Sequence, residues 1–223
     1  MRVAALITGG KDSTLALYRA LRQGHQVEWL VAMMPRREDS WMFHYPNIHV
    51  TDLFAEAVGI PLVRAPTSGV REEEVEDLKR VLSTLDVDGV VSGAVYSQYQ
   101  KSRIDRVCRE LHLKSITPLW HENPLKLLRE MLNLHFEIVI VGVYAYGLGP
   151  SWLGRRLDEQ AVQELIELNR RYQVSLIGEG GEYESLVLDA PIFKRRIQIL
   201  RSEVIWRGDS GHLLVKEARL VEK

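Results

Sequence analysis

The amino-acid sequence predicts an α/β fold: a parallel, doubly wound sheet followed by a smaller C-terminal α+β unit. Three observations carry this. Short apolar runs alternate with amphipathic stretches through the first 120 of 223 residues, the pattern of βα units whose sheet is covered on both faces. The first apolar run, ending at Thr8, breaks on Gly9 and Gly10 directly before a helical pattern. After Trp120 the alternation loosens, and the chain ends in two long strand-like runs joined by Gly208-Asp209-Ser210-Gly211, a good hairpin turn. The boundary therefore falls near residue 120, giving units 1–120 and 121–223.

In chain order, residues 2–8 read as a buried strand. Residues 12–24 read as a helix with apolar Leu15, Leu17, Tyr18 and Leu21, stopping at Gly24. The second strand covers 27–35, a short helix 50–58 and the third strand 61–66. The helix over 72–85 opens with Glu72, Glu73 and Glu74, favourable at the positive end of its macrodipole. Residues 88–95 form the fourth predicted strand, 98–111 a helix and 114–120 the fifth strand. Beyond the boundary come a helix over 125–134, a strand over 136–145, a helix over 158–171, and strands over 184–191, 195–208 and 212–221.

Hydrophobic residues make up 46% and charged residues 26% of the chain, the balance of a soluble protein with a real core. A net charge of −1 gives no overall pull toward nucleic acid or anionic membrane. The basic clusters Arg36-Arg37, Arg170-Arg171 and Lys194-Arg195-Arg196 read as solvated surface. The one cysteine, Cys108, excludes an internal disulfide and a Cys-pair metal site; within a helical pattern it reads as a small buried thiol. Val3–Ile7 is too short for a secretory h-region, and no apolar run approaches the roughly 20 residues of a membrane span. A cytoplasmic location without a membrane partner is expected; a homodimer is left open.

A strand that breaks on two glycines before a helix makes an anion site. Glycine permits positive φ and close backbone approach, and the free amides and positive dipole end of the helix point at the anion. Thr8, Gly9, Gly10, Lys11, Asp12 and Ser13 should line a phosphate pocket. It is not the P-loop: Ala5 stands where that motif needs its first glycine, and Asp12 follows the lysine. Nor is it the dinucleotide fingerprint, and Gly178–Tyr183 lacks that motif's last glycine. The form [Ser/Thr]-Gly-Gly-x-Asp-Ser resembles the PP-loop of the ATP pyrophosphatases, which cut ATP between its α and β phosphates, with Thr8 in place of the more usual serine.

Further segments narrow the resemblance: "SWMFHYPN", "DGVVSGAVYSQYQKSRIDRVCREL", "GLGPSWLGRRLD" and "GEGGEYESLVLDAPIF". In order and spacing these are similar to the diphthine–ammonia ligase family, of the adenine nucleotide alpha hydrolase-like superfamily, with its Rossmann-like, HUP-like PP-loop fold. Glu179–Glu184 is the most diagnostic piece; Ser185 and Ala190 depart from the threonine and cysteine the family often has. The resemblance implies that a carboxylate of diphthine on translation elongation factor 2 attacks the α-phosphorus of ATP, and that ammonia then displaces AMP to give diphthamide. It also implies an ATP-binding N-terminal unit and a substrate-binding C-terminal one.

The residues suit that chemistry. A departing pyrophosphate needs backbone amides, a cation and usually Mg²⁺. Gly9 and Gly10 offer amides, Lys11 charge, Ser13 a hydroxyl, and Asp12 a carboxylate for Mg²⁺, directly or through water. No amidotransferase domain is present, so ammonia is expected from solution. Met33 and Met34 close the second strand as an adenine wall or as core, and Gly93 would let ribose or phosphate approach. Gln98, Tyr99, Gln100 and Arg103 lie past the fourth strand, where they face the nucleotide; the resemblance puts them in the active site. Glu179, Gly180, Gly181, Glu182, Tyr183 and Glu184 crowd three carboxylates that need a cation or donors. The trimethylammonium of diphthine suits carboxylates beside an aromatic face. His44 and His49 read as loop or buried histidines rather than ligands, and Trp152 and Arg155 lie in a family motif with no derived role. Two other readings remain at this stage. One is a PP-loop enzyme for another carboxylate or tRNA, which the near-neutral charge and missing cysteines disfavour. The other is a nucleotide sensor that never cleaves ATP.

Overall fold

The structure, a computed structural model, describes residues 1–35, 47–68 and 72–223. A five-stranded parallel sheet is built from β1 (Arg2–Leu6), β2 (Gln26–Pro35), β3 (Leu62–Thr67), β4 (Gly89–Val91) and β5 (Lys114–Ile116), in the order β3-β2-β1-β4-β5. The chain runs outward from β1 to β3 and then crosses back to β4. The reversal lies between β1 and β4, and open α/β sheets bind ligands in the crevice beyond such a point.

Successive residues of β1 point to opposite faces. Val3, Ala5 and Ile7 join one buried cluster, with α1 (Lys11–Arg22) and α2 (Thr51–Val58). Ala4 joins the other, with α3 (Glu73–Leu82) and α4 (Gln98–Glu110). Cys108 is buried in that second layer, and burial pushes its thiol up to about 11, the state of an inert packing residue.

Following α5 (Pro124–Asn133), an antiparallel sheet forms from β6 (Glu137–Val143), β7 (Tyr183–Asp189), β8 (Arg196–Arg207) and β9 (Ser210–Val221), in the order β7-β6-β9-β8. The β8–β9 turn is Gly208-Asp209, with Gly208 at φ +66°. Residues of this sheet, including Ile140, Leu186 and Leu213, belong to the same buried cluster as α1 and α2. The second sheet therefore packs on the α1–α2 side, and α6 (Glu159–Tyr172) adds Ala161, Val162 and Leu165 to that core. No described helix is long and apolar enough to cross a membrane.

Two strands are less than half as long as the sequence pattern suggests. β4 stops at Val91 and β5 at Ile116, although the apolar runs continue to residues 95 and 120. Past Val91 the chain turns over the start of α1 instead of extending the ladder, and Val95 and Leu119 bury in the helical layer.

The segment carrying Trp152 and Arg155 is a structural brace. The Gly154 N–H donates to Ile140 O at 2.8 Å, the Ile140 N–H to Arg155 O at 2.9 Å and the Leu157 N–H to Ile138 O at 2.9 Å, pairing the segment antiparallel alongside β6. Arg155 stacks 4.5 Å over Trp152 and grips Glu164 on α6 through two bonds, at 2.5 and 2.8 Å. Hydrogen bonding from Arg155 pulls the Glu164 carboxyl down from 4.5 to about 2. A depressed carboxyl stabilises the fold above its unfolded value and loses that contribution as pH falls through the folded one. Glu164 is 43% exposed, so the pair is worth only about 0–1 kcal/mol. Glu164→Gln should therefore be slightly less stable than the parent in urea melts above pH 4.5, with the gap closing as pH falls toward about 2. A gap that stays constant with pH would show that the pair contributes nothing through its charge.

Candidate active site

A cavity of about 530 Å³ opens beyond the carboxyl ends of β1 and β4, walled on its far side by residues 178–186. Its floor is the glycine turn. Gly9 takes φ +82°, a conformation glycine adopts without strain. Thr8 Oγ1 accepts from the Gly10 N–H at 3.3 Å, and the hydroxyls of Ser13 and Thr14 donate to Gly10 O at 3.1 and 2.8 Å. The first intrahelical bond of α1 is Thr14 N–H to Gly10 O at 3.1 Å. The amides of Asp12 and Ser13 precede that ladder, at the positive end of the helix.

The second sheet holds this turn directly. The Val187 N–H donates to Gly9 O at 2.9 Å and the Lys11 N–H to Ser185 Oγ at 3.2 Å. A Cβ on Gly10 would lie 3.3 Å from Ser185 O. The Lys11 side chain, 3% exposed, donates to Asp12 Oδ2 at 2.9 Å and to Ile177 O at 2.6 Å. Its ammonium lies 4.8 Å from the centre of the Tyr183 ring. Burial, the largest single influence, acts to lower the Lys11 pKa, but Asp12, Tyr183 and Glu179 together outweigh it, so the group stays protonated with a raised value. Burial pushes the Tyr183 phenol up to about 12, and its hydroxyl donates to Leu176 O at 2.7 Å. That buried ring carries Lys11 against its face, which corrects the reading of Tyr183 as the aromatic surface for a substrate cation.

The three glutamates of the acidic loop have separate surroundings. Glu179 Oε1 accepts from the amides of Val95, Tyr96 and Ser97 at 3.3, 2.9 and 2.5 Å. Ser97 in turn caps α4 by accepting from the Gln100 N–H at 3.3 Å, so Glu179 clamps the β4–α4 loop. Glu182 folds back on its own turn, accepting from the amides of Ser175 at 3.2 Å and Gly180 at 2.8 Å. Glu184 lines the cavity with Glu179, Gly180 and Gly181. Backbone donors thus relieve the mutual repulsion at two of the three carboxylates.

Thr8, Gly10, Lys11, Asp12, Ser13, Gly93, Tyr99, Gln100 and Tyr183 also line the cavity. Gly93 has a different task from the one read in the sequence. A Cβ there would lie 2.7 Å from Ser13 N and 2.8 Å from the Asp12 carbonyl carbon, so the missing side chain admits the start of α1 rather than a ribose. Met33 reaches the cavity and Met34 does not, since neighbours on a strand face opposite ways. Gln98 is exposed at the start of α4, outside the lining. Arg103 lies 3.5 Å over the Tyr99 ring and pairs with Glu72 at 2.8 Å, joining α4 to the start of α3 beside the cavity. The His49 ring nitrogen Nε2 lies 2.9 Å from Val215 O, a tie to β9. His44 and most of "SWMFHYPN" fall outside the described residues.

Sequence reasoning missed Ser185, quoted within a motif but noted only as a family departure. It also missed Asn47, whose side chain bridges Leu213 O at 2.8 Å and the Val215 N–H at 2.7 Å. Both act through partners more than 160 residues away, which no local pattern reveals. Among the described residues no three His, Cys, Asp or Glu side chains converge as metal ligands. One carboxylate oriented by Lys11 fits Mg²⁺ nonetheless, because that ion usually takes one or two carboxylates and completes its shell with phosphate oxygens and water.

A strand–Gly-Gly–helix turn at the switch point of a parallel sheet, sharing its cavity with an acidic loop that leads into a second sheet, is the arrangement of a nucleotide-binding α/β protein. Residues 1–115 match the family model described as the diphthamide synthase N-terminal domain, and residues 123–221 the diphthamide synthase C-terminal domain. The chain is 38% identical to the diphthine–ammonia ligase of Homo sapiens, across 100% of this chain and 91% of that protein. It is 39% identical to that of Rattus norvegicus, across 99% and 91%. To that of Schizosaccharomyces pombe it is 36% identical, across 97% of this chain and 39% of a longer protein. The chain belongs to the diphthamide synthase family.

Gly93→Ala should lower stability by about 1–3 kcal/mol, the usual cost of overpacking, and weaken ATP binding by displacing the phosphate turn. Thermal melts and calorimetric titration with ATP measure both. A variant that melts and binds like the parent would show that the close approach of β4 and α1 is not needed.

Proposed function

We propose that this chain is an ATP-dependent carbon–nitrogen ligase, which amidates the carboxylate of diphthine on translation elongation factor 2 with ammonia to form diphthamide. AMP and pyrophosphate are the other products, and the reaction takes place in the cytoplasm. One observation carries the reading: the phosphate turn and the acidic loop Glu179–Glu184 line one cavity, so a nucleotide and a cationic carboxylate substrate can meet there.

The amides at the start of α1 and the Ser13 hydroxyl receive the phosphates of ATP. Lys11, anchored by Ile177 O and Asp12, keeps a positive charge beneath them with no reorganisation when charge develops on the leaving pyrophosphate. Asp12 would hold Mg²⁺, which when bound neutralises phosphate charge. Met33 and its apolar neighbours Leu6, Val31 and Ile104 form a wall for the adenine. The substrate carboxylate is itself the nucleophile, so no side chain needs to remove a proton before it attacks the α-phosphorus. Pyrophosphate leaves, and ammonia from solution then displaces AMP from the acyl-adenylate. Glu184 and the glycines beside it face the trimethylammonium, while Glu179 acts by positioning the loop above the nucleotide. On this reading residues 1–120 bind ATP and residues 121–223 the modified side chain, with Lys11 joining the two.

Incubation with ATP, Mg²⁺, ammonium and diphthine-bearing elongation factor 2, followed by mass measurement on the modified histidine, tests the reaction. AMP and pyrophosphate should appear in step with the amide; ADP and phosphate as main products would overturn the assignment of the turn. Asp12→Ala should lose about 10²–10³ in rate, the typical cost of one preorganised electrostatic element, and should melt earlier than the parent, because it takes away the carboxylate paired with the buried Lys11 ammonium. Turnover within a few-fold of the parent would remove Asp12 from the chemistry.

A further inference from the structure

Exposed aromatic side chains in this fold are concentrated around the acidic loop. Of the large hydrophobic residues most exposed among those described, four are tyrosines: Tyr96 at 45%, Tyr144 at 43%, Tyr146 at 81% and Tyr172 at 44%. Two are bonded to the acidic loop through their backbones, and the other two pair with each other nearby in the chain. The Tyr96 N–H donates to the Glu179 carboxylate at 2.9 Å, and the Tyr144 N–H to Glu182 O at 2.9 Å. Tyr172 ends α6 three residues before Ser175, whose amide donates to Glu182. Tyr146 meets Tyr172 edge to face, with centroids 5.0 Å apart and planes at 89°.

The Tyr146–Tyr172 pair is built into the backbone. Gly147 holds φ +93°, and a Cβ on it would lie 2.8 Å from Tyr172 Cδ2. A glycine in a conformation other residues resist thus makes room for one ring beneath the other, and the pair remains open to water. Exposed aromatic rings are disfavoured in water unless a partner covers them, and tyrosine is over-represented among the residues that dominate protein–protein binding.

We propose that this tyrosine rim is the docking surface for the folded protein that carries the substrate side chain. The inference rests on the function proposed above. A side chain that reaches the cavity brings its own protein's surface against the acidic loop, to which the backbones of Tyr96 and Tyr144 are bonded; Tyr146 follows two residues beyond Tyr144, paired with Tyr172. The acidic loop and the rings together suit a partner loop with a cationic tip and an apolar or π-bearing flank. The rim governs capture of the protein and leaves the chemistry at the phosphate turn unchanged.

The test is single-turnover amidation of intact, diphthine-bearing elongation factor 2 across a range of factor concentrations. The parent, Tyr146→Ala and the Tyr146→Ala/Tyr172→Ala double variant are compared, with ATP titration and a thermal melt on each. The half-saturating factor concentration should rise at least tenfold in the double variant and several-fold in Tyr146→Ala, with the maximal rate within about twofold of the parent and ATP affinity unchanged. The single variant, cut from a side chain 81% exposed, reports if the double variant melts early. An unchanged half-saturation, or a fall in maximal rate without one in capture, overturns the rim. A parent that self-associates through Tyr146, with half-saturation unaffected by the variants, assigns the surface to a second copy of the chain instead. Absence of amide with the parent itself sinks the proposed function, and the rim with it.

Discussion

The ammonium of Lys11 is buried at the junction of the two sheets, and the architecture of the site depends on how that charge is met. An isolated charge removed from water costs many kcal/mol, and Lys11 sits 3% exposed. Asp12 supplies one partner from the same turn, while Ile177 O and the Tyr183 ring come from the other half of the chain. The lysine can be buried and protonated only when the second sheet is docked. The phosphate turn and the C-terminal half are therefore interdependent, more so than two units joined by a linker.

The same constraint explains the bonds around it. β7 lies against the turn closely enough for Val187 to bond Gly9 O and for Ser185 to take the Lys11 amide. That proximity crowds position 10, where a Cβ would lie 3.3 Å from Ser185 O, and the contact of the β4–α4 loop with α1 leaves no room for a side chain at position 93. The glycines of this site serve the approach of protein to protein as much as that of protein to anion. Rigid backbone on all sides of the turn keeps its amides oriented before any ligand arrives, which is what electrostatic catalysis requires.

The acidic loop shows how one short motif divides its work. Glu179 clamps the β4–α4 loop through three amides, Glu182 stabilises its own turn, and Glu184 looks into the cavity. The loop links the phosphate side of the cavity to the β6 end where Tyr144 and Tyr146 begin. A change in it is felt in both directions, because the same backbone carries the clamp and the rim.

Much of this was legible in the residues alone. The βα alternation marked out the parallel sheet, the Gly-Gly break located the turn between β1 and α1 that lines the cavity, and the spacing of the later motifs pointed to the family, because periodicity and turn chemistry are local and survive in one dimension. Which carboxylate clamps and which faces the cavity, whether Tyr183 offers its ring to a ligand or to Lys11, and what the Gly93 side chain would strike were decided only by folding. Each depends on a partner from 80 to more than 170 residues away, and sequence carries no signal for a contact whose two halves meet only when the second sheet closes over the first.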